Sequence, residues 1–182
     1  MLPAPNSTAV SASRRDGRRI LTPELITRLR DGFQLDWRGI HGVGHWTRVR
    51  YNGLCLAKAT GADTRVVELF AFLHDACRIN DRRDVGHGDR AGKMARELCG
   101  RFFELDRLAL RLLEVACREH SDGNTHVDPT VQTCWDADRL DLGRVGTWPN
   151  PKYLCTDAAR KDQIISAASR RSVGIRKSYH RP

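Results

Sequence analysis

Histidine and aspartate recur through the middle of this 182-residue chain in a pattern suited to holding a metal ion. His74 and Asp75 are adjacent and follow the apolar run Val66-Val67-Glu68-Leu69-Phe70-Ala71-Phe72-Leu73. Burying an unpaired carboxylate beside an imidazole is costly unless a cation or a hydrogen-bond partner compensates it. A divalent ion is the obvious compensator; for the dipeptide alone, a capped or hydrogen-bonded core position is an equal alternative. His41 and His45 are four apart and share a face if a helix already includes His41. His87 opens a loop ahead of a helix, His120 ends one, and His126 lies in a polar stretch. Cys134-Trp135-Asp136-Ala137-Asp138-Arg139-Leu140-Asp141 adds three carboxylates. Of the seven histidines only His180 falls in the terminal region.

Helices are the elements that must position these groups, because apolar residues recur at helical spacing and strand alternation is nearly absent. Thr22-Pro23-Glu24 reads as an N-cap, a first-turn proline and a first-turn acid, opening a helix to about Asp31. A second helix is expected from about Gly44 to Thr60, stopped by Gly61. A third, capped by Asp63, carries Val66, Val67, Phe70, Leu73 and His74 and ends near Ile79-Asn80. The glycine-punctuated segment 81–88 is a loop, and a fourth helix follows with Ala91, Met94, Ala95 and Leu98 on one face. A fifth runs from Asp106 to about His120, a sixth starts near Thr130, and a last one starts at Thr156 and holds Ile164 and Ile165. The expectation is an all-α, single-domain bundle of about six to seven helices.

The formal net charge of +9 is uneven. Residues 1–20 carry +3 and residues 159–182 carry +6, whereas residues 21–158 balance 20 basic against 20 acidic side chains. The division expected is a basic N-terminal tail (1–20), a metal-binding domain (21–158) and a basic C-terminal helix or tail (159–182). Nucleic acid could meet the tails, but solvated termini are the preferred reading. No stretch approaches the roughly 20 apolar residues of a membrane span, so no membrane partner is expected. Residues 1–7 lack the layout of a secretory signal, which makes a cytoplasmic protein the default. The six cysteines are dispersed without a C-x-x-C, which argues against a zinc finger; a disulfide scaffold is not needed at this length.

The order H…HD…D resembles the HD-domain superfamily of metal-dependent phosphohydrolases. HGVGHWTRV carries His45, FLHDACR carries His74 and Asp75, and DADRLDLG carries the closing aspartate. The resemblance covers about residues 41–145. It implies that His45, His74, Asp75 and Asp138 form one metal site, with Asp138 matching the family's A-D-x-x pattern. Asp136 is the next choice, His41 is a further alternative ligand, and Asp141 is a supporting or surface residue. Arg78 stands at the fifth position, where relatives often show H-D-x-x-K; it could hold a phosphate oxygen or pair with Asp75 or Asp81.

Relatives with two metals place extra histidines between HD and the last aspartate, where His87 and His120 stand here. This chain has His-Ser at 120–121 rather than His-His, and His126 is the substitute. One and two ions are nearly balanced as readings, with a slight preference for two. With a single ion, His87 and His120 would bind phosphate or transfer protons instead. The G-Y-P string of the cyclic-dinucleotide phosphodiesterases is missing.

Mixed imidazole and carboxylate donors suit Mn, Fe, Co, Ni or Zn better than Mg. The implied reaction is metal-assisted attack of water on a phosphomonoester or phosphodiester, with a small phosphorylated molecule, foremost a nucleotide, as substrate. Two other classes stay open: a di-iron oxygenase of the same helical type, and a non-catalytic nucleotide or nucleic-acid binder using the tails. Trp46, Trp135 and Trp148 flank the ligand-bearing segments, with core packing preferred over base stacking.

Overall fold

A computed structural model describes residues 19–174 as seven α-helices, with no sheet among them. They are α1 (Pro23–Gly32), α2 (Val43–Thr60), α3 (Thr64–Leu73), α4 (His87–Leu98), α5 (Arg107–Glu119), α6 (Pro129–Arg139) and α7 (Asp162–Gly174). Short 3-10 helices cover Leu142–Val145 and Pro151–Tyr153. Most of residues 1–20 and the last eight residues, which carry much of the basic charge of the two tails, lie outside the described residues.

The helix starts are written in side chains. Thr22 accepts from the Leu25 amide, Asp63 from Arg65, Asp106 from Leu108 and Ala109, and Asp128 from Thr130. Each satisfies donors that the first helical turn leaves without partners. Pro23 and Pro129 add a preset φ at the first turns of α1 and α6. Gly61 stops α2 in the left-handed region at φ 71°, which a side chain would disfavour.

The helix α2 lies at the centre, against α3, α6 and α7, while α4 pairs with α5. The main core is built from Leu25, Val66, Phe70, Leu73, Leu113 and Trp135. Full burial of such side chains contributes roughly 1.5–3 kcal/mol each, and this fixes the helices that carry the histidines. Trp46 meets Phe33, Trp37 and Phe72 edge-on, and the Trp135 indole donates to the Ala116 carbonyl, so both are core residues. Only Trp148 of the three flanking tryptophans is open to solvent. A smaller core of Leu56, Leu140, Leu154, Ile165 and Ala168 seats α7 against the rest. All six cysteines are free thiols, and burial pushes the Cys77 thiol up to about 11, away from reactivity.

Three boundaries differ from the sequence reading. The third helix ends at Leu73 rather than near Asn80; beyond it the backbone tightens into turns closed by Ala76 N–H to Leu73 O and Arg78 N–H to Asp75 O. His87 is the first residue of α4 rather than part of the preceding loop. The last helix starts at Asp162 rather than Thr156, whose amide and hydroxyl both donate to Asp136.

Candidate metal centre

His45 sits in the first turn of α2, His74 caps the end of α3 with Asp75 just beyond it, and Asp138 lies in the last turn of α6. Three helix ends therefore converge on one point. His45 Nε2 and His74 Nε2 are 3.0 Å apart. Asp138 Oδ1 lies 3.3 Å from His45 Nε2 and 3.7 Å from His74 Nε2. Asp75 Oδ2 lies 3.7 Å and 3.8 Å from the same two nitrogens. Donors held at about 2.1 Å from one transition ion are roughly 3–3.5 Å apart, so this spacing needs only a small contraction.

The opposite side of each imidazole decides what faces inward. His45 Nδ1–H donates to Asp141 Oδ2 at 2.8 Å, and His74 Nδ1–H donates to the Phe70 carbonyl at 3.1 Å. A carbonyl can only accept, so the proton of neutral His74 is on Nδ1 and Nε2 presents a lone pair. Burial, only partly offset by Asp75 and Asp138, lowers the pKa of His74 to about 3 and keeps it neutral. With both rings neutral, two lone pairs face each other at hydrogen-bonding distance with no proton between them. Among the described residues, Asp138 Oδ1 is buried without a hydrogen-bond partner. Burial works to raise Asp138, but His45, His74 and Arg144 outweigh it and hold the group ionised. An orphaned carboxylate oxygen and two converging imidazole lone pairs are a donor set that fits a divalent transition ion.

A second group adjoins the first through Asp75. His87 Nε2 and His120 Nε2 are 2.9 Å apart, and Asp75 Oδ1 lies 3.3 Å and 3.7 Å from them. Their Nδ1 atoms are again turned outward, donating to the carbonyls of Asp84 and Cys117 at 2.5 Å and 2.7 Å. Burial tends to lower His120, yet hydrogen bonding and charge from Asp75 outweigh it and raise the pKa. His41 Nδ1 is 2.8 Å from Asp75 Oδ2, and Arg78 Nη1 donates to Asp75 Oδ1 at 3.3 Å. Burial works to raise the pKa of Asp75, but His74, His120, His41 and His87 outweigh it and hold the group well below the usual carboxylate range.

Of the expected residues, His45, His74, Asp75 and Asp138 meet at one point, with His87 and His120 beside them. His41 is in the cluster as a hydrogen-bond partner of Asp75. Arg78 pairs with Asp75, not with Asp81. Two expectations are corrected. Asp136 turns away, its carboxylate accepting from the amides of Cys155 and Thr156 and from the Thr156 hydroxyl. Burial raises its pKa, and its work is to anchor the segment after the 3-10 helix Pro151–Tyr153. His126 is outside the cluster, set edge-on to Trp135, with Nδ1 accepting from the Asp128 amide.

Asp141, Arg48 and Arg144 surround the cluster from outside. Asp141 is buried; besides His45 it accepts a two-pronged bond from Arg48, at 2.7 Å and 2.9 Å, and one from the Ser172 hydroxyl at 2.7 Å. Arg144 lies 4.0 Å from Asp138 Oδ1 and is fixed by the Ile40 and Asp141 carbonyls. Arg48 lies one turn beyond His45 on α2, whereas Arg144 follows the end of α6, where helical spacing does not point to the site.

No family model matches the chain, and no curated protein does. A solved structure does: a predicted HD superfamily hydrolase from an uncultured Thermotogales bacterium, 23% identical, with a TM-score of 0.62. The match covers 86% of this chain and 89% of that one. The bundle that brings His45, His74, Asp75 and Asp138 together has the same helical fold as that structure.

Proposed function

We propose that the chain is a metal-dependent phosphohydrolase that cleaves a phosphomonoester or phosphodiester, foremost in a nucleotide. The observation that carries this reading is the two imidazole Nε2 atoms facing each other at 3.0 Å beside Asp138 Oδ1, which has no hydrogen-bond partner among the described residues. Such a set is stabilised by a cation, and His45, His74, Asp75 and Asp138 would hold it. When bound, a divalent ion supplies Lewis acidity: it acidifies water and offsets charge on phosphoryl oxygens.

The chain's own side chains do the rest. Asp138 is the more open of the two carboxylates, its side chain 16% exposed against 2% for Asp75, so substrate approaches from its side. Arg144, beside Asp138, offers guanidinium donors to a phosphoryl oxygen and orients it in bidentate fashion. His120 holds a proton against Asp75 and can pass it to the leaving alkoxide, with His87 in contact to relay it. Phe70 stacks on the His74 ring and limits water on that side.

The test is elemental analysis of the purified protein, followed by hydrolysis of a panel of nucleotides and simple phosphate esters with added Mn²⁺, Co²⁺ or Ni²⁺. Bound metal and chelator-sensitive hydrolysis are expected, both lost in Asp138→Ala. Full activity and full metal content in that variant would refute the ligand assignment; no bound metal under any loading would refute the reading itself.

A further inference from the structure

Asp75 turns its two oxygens toward two different histidine pairs. Oδ2 faces His45 and His74, and Oδ1 faces His87 and His120. The arrangement has the outline of two cation positions sharing one carboxylate, yet the two sides are not equivalent. On the first side, among the described residues, neither His45 Nε2 nor His74 Nε2 has an arginine or lysine donor, and Asp138 supplies a second carboxylate. On the second side, among the described residues, no carboxylate other than Asp75 pairs with His87 or His120.

There Arg78 Nη1 already donates to Asp75 Oδ1 at 3.3 Å and to His87 Nε2 at 3.2 Å. The rest of the guanidinium is pinned, Nη2 to the Arg82 carbonyl at 2.7 Å and Nε to the Asn80 carbonyl at 3.4 Å. Arg78 is buried, and a guanidinium does not give up its proton in a protein. Its charge is therefore fixed at two of the three donors a second ion would need. The Ser121 hydroxyl, 3.4 Å from His87 Nε2, crowds the same nitrogen.

We propose that Arg78 is the built-in cation of the second position, so that the centre takes up one divalent ion, among His45, His74, Asp75 and Asp138, and excludes a second. The inference rests on the metal-dependent reading above. Both oxygens of Asp75 are then neutralised, one by an exchangeable ion and the other by a permanent side-chain charge. Two like charges at adjoining positions repel strongly where water is excluded, which is why the guanidinium and a second ion are mutually exclusive.

The experiment is Mn²⁺ titration of metal-stripped protein, read by calorimetry, elemental analysis and electron paramagnetic resonance. The wild-type chain is expected to bind one equivalent, with any second ion at least about 100-fold weaker. Arg78→Met, which removes the charge, should tighten a second equivalent by at least about tenfold, whereas Arg78→Lys should stay at one. Two wild-type equivalents of similar affinity, or a folded Arg78→Met that still takes one, would overturn the inference and leave the metal-dependent reading standing. Zero equivalents in the wild type would remove both. If Arg78→Met does not fold by circular dichroism, the spectrum of the wild type at excess Mn²⁺ decides. Isolated Mn²⁺ supports the exclusion, and a spin-coupled pair overturns it.

Discussion

Asp141 fixes which nitrogen of His45 faces inward, and it does so while bound to Arg48 and Ser172. Outer partners of a ligating histidine typically change metal affinity by about 10–100-fold when removed. Asp141→Ala is therefore expected to weaken Mn²⁺ binding by roughly that factor, because His45 loses its orienting acceptor. Asp141→Asn, which keeps an acceptor for Nδ1–H, should recover part of the loss. Calorimetric titration reads both, and an unchanged affinity in Asp141→Ala would show that packing alone orients the ring. At this scale the clustering of histidine and aspartate was legible in sequence, since His74-Asp75 next to an apolar run calls for compensation. The choice between Asp136 and Asp138 was not: two residues apart on a helix they point to nearly opposite faces, and only the fold says which face is which. Asp141 and Arg144 lie just past the end of α6, where helical spacing no longer predicts direction.

Gly88 shows how an element, rather than a residue, delivers His87. A Cβ there would lie 2.5 Å from the Arg118 carbonyl oxygen and 2.9 Å from that of Cys117. The start of α4 is thus pressed backbone to backbone on the end of α5, which is what sets His87 against His120. Gly88→Ala must push the two helices apart. We expect a stability loss of about 1–3 kcal/mol by denaturant unfolding, with the His87–His120 contact disrupted. A stability equal to wild type would mean that α4 can shift without cost. The helix starts at Thr22, Asp63 and Asp106 were legible because a capping side chain is a local signal. Asp106→Ala should accordingly cost about 1 kcal/mol through the cap of α5, checked by the same unfolding measurement. The ends of α3 and the start of α7 were not legible, because tertiary contacts decide them. Thr156 does cap a turn, its hydroxyl accepting from the Ala159 amide at 3.2 Å while donating to Asp136, but that turn does not run on into α7.

For the whole molecule, the buried cluster couples stability to pH and to metal. His74 has its folded pKa lowered to about 3 from an ordinary 6.5, so the unfolded chain binds a proton there that the folded chain refuses. Stability from this group is complete above pH 6.5 and is lost as pH falls toward 3, by about 1.4 kcal/mol per unit within that window. Asp84 and Glu114, lowered by Arg90 and Arg96 against the effect of burial, act in the same direction below their ordinary values of 3.8 and 4.5. His120 acts the other way: its pKa is raised, so its contribution is present below 6.5 and fades as pH rises through the folded value. The metal-free protein should therefore be most stable near neutral pH and lose stability steeply in mild acid, where free carboxylates have not yet titrated. Adding Mn²⁺ at about 100 times its Kd should raise stability at pH 7 by about 2.7 kcal/mol, since the folded state alone assembles the donors. Protons compete for the same imidazoles, so that increment should shrink as the pH is lowered. Thermal unfolding of stripped and loaded protein from pH 4 to 8 measures both trends. A metal increment that stays constant across that range would show that the ion is held away from the histidines.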